Sequence, residues 1–197
     1  MGANGYLILA SVVGGLLAAG TGWLLDWQRQ RAALRRHKVL FVTGILDDLQ
    51  HSLTLYDKIE DEWEKTKVVW FSTLNELRES RQTYLSHKDT VVLIENADTR
   101  KRLFRYYLKT NELVNQLEYQ QQRIYEIQRR FRELHNNVSL GQPELDQNQV
   151  GSLVLQIMKD ENAEFLNTQA AIPATVEKLK SFKSDCLELI NELKMHQ

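Results

Sequence analysis

The chain has 197 residues, 43% of them hydrophobic and 26% charged, with a formal net charge of −1. That length accommodates one domain with a real core, and the composition excludes a disordered chain. The near-neutral balance excludes a general nucleic-acid binder, which carries a basic body. The charge is unevenly spread: residues 1–46 hold one acid, Asp26, against Arg29, Arg31, Arg35, Arg36 and Lys38, so the remainder is mildly acidic. The single cysteine, Cys186, excludes an intramolecular disulfide framework and fits a reducing compartment.

The first element runs through "LILASVVGGLLAAGTGWLL". From Tyr6 to Leu25 roughly twenty consecutive residues carry no charge, about the length a helix needs to cross a hydrocarbon core. A soluble core helix of that length shows a polar face, and this one has none. A cleaved signal peptide needs a basic leader, but "MGANGY" holds neither Lys nor Arg and the bases follow the apolar run. N-myristoylation asks for Ser or Thr where Tyr6 stands. The sequence therefore predicts a retained transmembrane helix within residues 1–27.

Trp23, Trp27, Arg29, Arg31, Arg35 and Arg36 read as interfacial anchors, and the positive-inside bias directs the C-terminal body to the cytoplasm. In a bacterium that means the inner membrane. Ala10, Gly14, Ala18 and Gly22 recur every four residues, and Ser11, Gly15 and Ala19 form an adjoining row. Association within lipid relies on close backbone approach, so these small residues predict a packing face on the span. No charged side chain lies in the run, which leaves an ion pathway without support.

Residues 28–45 form a basic juxtamembrane segment with two readings. No proline intervenes between Trp27 and Tyr84, so the helix can continue as a cytosolic stalk. Alternatively, Val39–Val42 beside "RRHK" lies on the membrane surface. Gly44 is a candidate bend.

From residue 46 to 197 the pattern predicts a helical bundle, with helices at about 46–85, 87–137, 143–168 and 173–195. The first stripe is Leu46, Leu49, Leu53, Tyr56, Trp63, Trp70, Leu74, Leu77 and Tyr84, interrupted at Glu60 and Lys67. Ser86 with Asp89 imitates a capping box, while "ENAD" at 95–98 offers a second start or a local break. Leu113, Leu117, Ile124, Ile127, Phe131, Leu134 and Val138 supply the second stripe. "NNVSLGQPELDQNQ" is the clearest linker, and Pro143 with Glu144 can open the next helix. That helix, with Val150, Leu153, Val154, Ile157, Met158 and Phe165, fades near Thr168. Pro173 suits the first position of a last helix bearing Val176, Leu179, Phe182, Cys186, Leu189 and Leu193. The predicted fold is all-α: one N-terminal transmembrane helix followed by an elongated antiparallel bundle with a coiled-coil-like stalk.

Candidates for chemistry are sparse. Asp48 and His51 have the i, i+3 spacing of a metal pair, but no second such pair follows, so neither a metal nor another cofactor is expected. "YDKIEDEWEK" at 56–65 gathers five carboxylates that alternate with Lys58 and Lys65, the pattern of a solvated, salt-laced face. Lys101, Arg105 and Lys109 share one helical face within "RKRLFRYYLK" and can receive an acidic partner or a phosphate-bearing ligand. The bland reading of that stretch is a solvated face with its aromatics turned into the bundle. Cys186 sits on an apolar stripe as a small hydrophobe. The sequence holds no glycine-rich phosphate loop, zinc spacing, G-x-S-x-G or H-E-x-x-H.

The expectation is a non-enzymatic membrane protein that works by protein–protein interaction. Its partners are membrane lipid and either a second copy or another membrane or cytosolic protein, with no nucleic acid expected. The alternative is a membrane-acting effector, a toxin or antiphage component, whose spans oligomerise and disturb the bilayer.

Overall fold

The structure, a computed structural model, describes the backbone of residues 3–195 and the side chains of residues 20–195. It is an all-α bundle of long antiparallel helices: α1 (Ala3–Thr66), α2 (Phe71–Glu79), α3 (Gln82–Ser86), a 3-10 turn (Lys88–Leu93), α4 (Ala97–Gly141), α5 (Gln147–Ile157) and α6 (Lys159–Met195). Among the described residues no helix is long and apolar enough to cross a membrane. Most of the uncharged run Tyr6–Leu25 lies outside the residues whose side chains are described.

Cross-helix contacts give the topology. α1 descends from the proximal end near Lys38, and α2, α3 and the 3-10 turn return along it. Ser52 Oγ meets Ser80 Oγ at 2.8 Å, the Thr83 amide donates to Asp48 Oδ2 at 2.9 Å, and Lys38 Nζ donates to Glu95 at 2.6 Å. α4 then runs parallel to α1, bringing Tyr106 and Thr110 to Tyr56, and Gln121 to Val69. α5 and α6 climb back, so that Glu164 meets Arg123, Lys180 meets Glu60, and Cys186 donates to the Leu49 carbonyl at 3.2 Å. The result is a four-legged bundle whose third and fourth legs extend past the distal end of α1.

Two cores follow from this arrangement. The larger joins all four legs through Ile45, Leu49, Ile59, Leu74, Leu77, Leu103, Leu117, Leu179 and Leu193, each at most 2% exposed. Each such aliphatic side chain contributes about 1.5–3 kcal/mol on leaving water. The distal core is small: Ile127, Val150, Val154 and Met158, with Phe131, Leu134, Val138, Leu145 and Phe165 packed around them.

Several boundaries differ from the sequence expectation. Phe41, Val42 and Ile45 are already buried, so the bundle begins inside the 28–45 segment rather than at 46. Gly44 is no bend. A Cβ there would sit 2.7 Å from the Thr83 Cγ2 atom, so the glycine permits the close approach of α1 and α3. The expected helix 46–85 is broken at Lys67, whose φ of 56° is left-handed and whose amide donates to the Trp63 carbonyl at 3.0 Å. Beyond it, Gln121 brackets Val69, accepting from its amide at 3.1 Å and donating to its carbonyl at 2.9 Å. Trp70, placed on the apolar stripe by spacing, is 59% exposed because it lies in this extended turn.

Caps explain most of the remaining boundaries. The Ser86–Asp89 pair forms no capping box. Asn96 of "ENAD" starts α4 instead, its side chain accepting from the amides of Asp98 and Thr99. Asp146 rather than Pro143 opens α5, in a reciprocal capping box with Gln149. The expected break between Thr168 and Pro173 is absent: α6 runs through Pro173, and the chain leaves helical geometry at Met158. Gln169, whose carbonyl loses its bond to the proline, is exposed to water, which makes an interior proline tolerable.

Candidate functional site

The projecting part of α1 is the most unusual surface. Every described residue from Gly20 to His37 is exposed, whatever side of the helix it occupies. Trp23 is 70% exposed, with Leu24, Leu25, Trp27 and Leu34 also open. Arg29, Arg31, Arg35 and Arg36 ring the same stretch, and the Arg31 guanidinium lies 3.8 Å above the Trp27 ring. Gly22 faces open space. The other members of the small-residue rows, Ala10, Ser11, Gly14, Gly15, Ala18 and Ala19, lie outside the residues whose side chains are described.

The basic face of α4 divides in two. Lys101, Arg105 and Lys109 are all exposed; Lys101 pairs weakly with Asp98 at 3.7 Å and Lys109 with Glu112 at 3.4 Å. Exposed pairs of this kind are worth about 0–1 kcal/mol, so they leave the cations available to other anions. Arg105 and Lys109 edge a groove of about 260 Å³ between α4 and α6, floored by Tyr106, Phe182 and Leu189, with Asp185 opposite. Arg102 is committed to Glu188 and Glu192 of α6. Tyr106 and Tyr107 turn inward as expected, while Phe104 points outward at 55% exposure.

A second groove, of about 580 Å³, opens at the distal end of α1. Trp63, Val68, Phe71, Ile124, Tyr125 and Ile172 supply its apolar wall. It marks the level where four legs become two.

The carboxylate-rich stretch 56–65 is a largely exposed, salt-laced face, with Asp57, Lys58, Asp61, Glu64 and Lys65 open to solvent, and it also fastens helices together. Asp57 pairs with Lys183 and Glu60 with Lys180, tying α1 to α6. The hydrogen bond that Lys183 donates to Asp57 holds its ammonium pKa above the ordinary value, as the one that Lys180 donates to Glu177 does for Lys180. Glu62 accepts from the Trp70 amide at 2.9 Å and from Thr73 Oγ1 at 2.6 Å, which caps α2 from another helix. Asp48 is similarly engaged by the Thr83 amide and hydroxyl, while His51 is exposed. Burial raises the Asp48 carboxyl above the usual carboxylate range. Among the described residues no group of three His, Cys, Asp or Glu side chains could hold a metal ion.

Sequence reasoning missed the polar layer inside the larger core. Tyr56 Oη lies 3.1 Å from Tyr106 Oη and 3.2 Å from Thr110 Oγ1, while the buried Tyr107 hydroxyl has no hydrogen-bond partner in the structure. Burial pushes all three phenols upward and the Cys186 thiol up to about 11. A protonated, buried thiol is a poor nucleophile, in keeping with its place on the α6 stripe. The only sequence signal for this layer was polar residues recurring on apolar stripes.

No protein-family model matches the chain, and neither a curated protein nor a solved structure does.

Proposed function

We propose that this chain is a single-pass membrane protein that presents a helical bundle to binding partners and acts through interaction rather than catalysis. The observation that carries this reading is the solvent-exposed helix at Gly20–His37, with Trp23, Leu24, Leu25, Trp27 and Leu34 open to water, continuous with the uncharged run that precedes it. Most helical stability in proteins comes from packing an apolar face, which this exposed stretch of α1 does not do within the bundle, and its open tryptophans and leucines add to its cost. A bilayer supplies the missing burial, with Trp23 and Trp27 at the interface and the arginines beyond it. The same charge layout directs the bundle to the cytoplasm, which in a bacterium means a protein of the inner membrane. The small-residue rows support association of the span with a second copy or with another membrane helix. The α4–α6 groove, with Arg105 and Lys109 on its edge, supports docking of an acidic protein segment.

Alkaline extraction and protease accessibility of the full chain in membrane vesicles test the reading. The chain is expected to stay with the membrane at its full mass, with the bundle digested only from the cytoplasmic face. Release by alkali, or loss of the first twenty or so residues on maturation, overturns it. Expression that depolarises cells, and that Gly14→Leu or Ala18→Leu silences without preventing insertion, assigns the span to a membrane-disrupting effector instead.

A further inference from the structure

One packing seam runs most of the length of α4 and another most of the length of α6. On α4 the residues spaced by seven are Leu103, Thr110, Leu117, Ile124 and Phe131; on α6 they are Leu193, Cys186, Leu179, Ile172 and Phe165. Proximal to Thr66 both seams are buried facing α1, where Thr110 meets Tyr56 and Cys186 meets Leu49. Past Thr66 they continue with neither α1 nor α2 against them, and Ile124, Phe131 and Phe165 are only half-buried. The groove of about 580 Å³ below Trp63 opens along this stretch, and it continues by way of Gln128 into a second part of about 400 Å³ lined by Phe131, Leu155 and Phe165.

A cleft between two helices whose seams repeat every seven residues takes a third helix, with side chains of each filling gaps between those of the others. The Lys67–Trp70 turn closes the upper end, and Gln121 and Glu62 brace it, so a helix in the cleft ends there. The polar members of the lining include the amides Gln128, Asn162 and Gln169. Amides on a seam of this kind select register and partner at some cost in stability.

Charge narrows the choice of helix. No carboxylate lines either part of the groove, whereas Lys67 and Arg132 do. Among the described residues neither cation enters an ion pair. The Lys67 ammonium lies 5.8 Å above the Trp63 ring, and Arg132 makes one long contact with the Gln128 carbonyl at 3.4 Å, so both keep donors for an anion. The acids beside the groove are held by other arginines: Glu126 and Glu164 by Arg123, Glu161 by Arg130, and Glu133 by Arg129. Ile124, beside the turn, and Arg132 are separated by about 12 Å of helical rise, so carboxylates just over two turns apart on one helix meet both cations.

A second copy fits the groove poorly. Laid parallel, its own α4 and α6 would run upward into α1 and α2. Laid antiparallel with its tip at the Lys67–Trp70 turn, it would bring Arg132 of both copies together near the two-fold axis, because the arm from Gln121 to Gly141 is halved at Phe131. We infer that the distal groove receives an acidic amphipathic helix of another protein, about three turns long, which lies between α4 and α6 past the end of α1 and sets its carboxylates on Lys67 and Arg132. The docking rests on the interaction reading above, though not on the anchor, and it uses a different groove from that of Arg105 and Lys109.

The test uses the full chain in phosphatidylcholine nanodiscs and a fluorescent peptide of about three heptads, with leucine on the apolar stripe, glutamate flanking it and alanine elsewhere. Saturable one-to-one binding is expected, absent from empty nanodiscs and from a counterpart peptide with lysine in place of glutamate. Lys67→Gly with Arg132→Gln is expected to weaken binding about tenfold. The melting transition should not fall, since glycine accepts the left-handed backbone at 67 and Arg132 is exposed. A photo-cross-linker at Gln128→Cys is expected to capture the peptide and one at Lys109→Cys is not; native Cys186 is buried and stays unlabelled. Absence of binding, or binding indifferent to the two substitutions, overturns the docking. Capture at Lys109 instead of Gln128 overturns it while leaving the interaction reading in place. Capture of a second copy through Gln128→Cys assigns the groove to self-association and overturns it as well.

Discussion

Proximal to Thr66, α4 and α6 pack with α1 and α2; past it they have only each other and α5. The upper region uses four layers of fastening: aliphatic packing, the Tyr56–Tyr106–Thr110 network, caps donated from neighbouring helices, and ion pairs from α1 to α6. The distal hairpin relies on four buried side chains, the Asp146 capping box, and the Arg123–Glu164 and Arg130–Glu161 bridges. Both regions are helical to similar degree, so helix content says little about where stability resides. Buried contacts and satisfied polar groups decide it, and the distal hairpin is expected to open at lower free energy than the rest.

Alkaline titration should separate the two regions most strongly. Tyr56, Tyr106, Tyr107 and Cys186 all have folded-state pKa values raised by burial, and all belong to the upper region. A raised value means the folded state holds its proton longer than the unfolded chain does. The stability this contributes is whole below the unfolded values of 9.0 for the thiol and 10.0 for the phenols, and it is lost as pH rises beyond them. Cys186, reaching about 11, contributes about 3 kcal/mol of that loss at 1.36 kcal/mol per unit, and the phenols add to it. Denaturant melts should hold level from pH 7 to near 9 and then fall steeply. A Cys186→Ala, Tyr56→Phe chain should fall less steeply over the same window. An identical fall in both chains would remove the buried layer as its cause.

Truncations of similar chemistry sharpen the contrast. Leu103→Ala, at a side chain with no exposure, should cost about 3 kcal/mol and lower the global denaturation midpoint. Met158→Ala, 2% exposed in the distal core, should cost about 2 kcal/mol. Its effect should appear as faster amide exchange in the distal parts of α4 and α5, with little shift of the main transition. A global shift from Met158→Ala as large as that from Leu103→Ala would mean the two cores melt as one.

Much of this organisation was legible from periodicity, because a 3–4 stripe records which face must leave water. Leu49, Tyr56, Leu74, Leu77, Leu117, Val154, Leu179 and Leu189 are all buried where the pattern puts them. Three kinds of feature were not legible. Lys67 takes a left-handed turn without being glycine, so no residue type announced the end of α1. Pro173 announced a break that packing overrode. Glu62, Asp48 and Gln121 satisfy backbone groups or hydroxyls far off in sequence, and such tertiary partners leave no local pattern. The candidate surfaces divide in the same way. The run of exposed bases after the apolar segment is a composition signal, whereas the outward turn of Phe104 depends on how α4 buries Leu103, Tyr106 and Tyr107.

Gly44 offers the finest test of how the upper region is fastened. On helix propensity alone, Gly44→Ala should stabilise an interior helical position by about 1 kcal/mol. The new Cβ, however, would meet the Thr83 Cγ2 atom at 2.7 Å. Thr83 cannot rotate freely to relieve this, since its hydroxyl donates to Asp48 Oδ1 at 3.0 Å and its amide to Oδ2. Overpacking of this kind costs about 1–3 kcal/mol, so Gly44→Ala should lower stability by roughly 1 kcal/mol net. Thr83→Ser removes the offending methyl and keeps the hydroxyl that Asp48 needs. In the Gly44→Ala background it should restore stability, whereas alone it should be neutral or slightly destabilising. A double-mutant cycle therefore predicts a favourable coupling energy of about 1 kcal/mol. Additive effects would show that α3 moves aside at no cost, and that the seam between α1 and the return leg is looser than the packing of Gly44 against Thr83 requires.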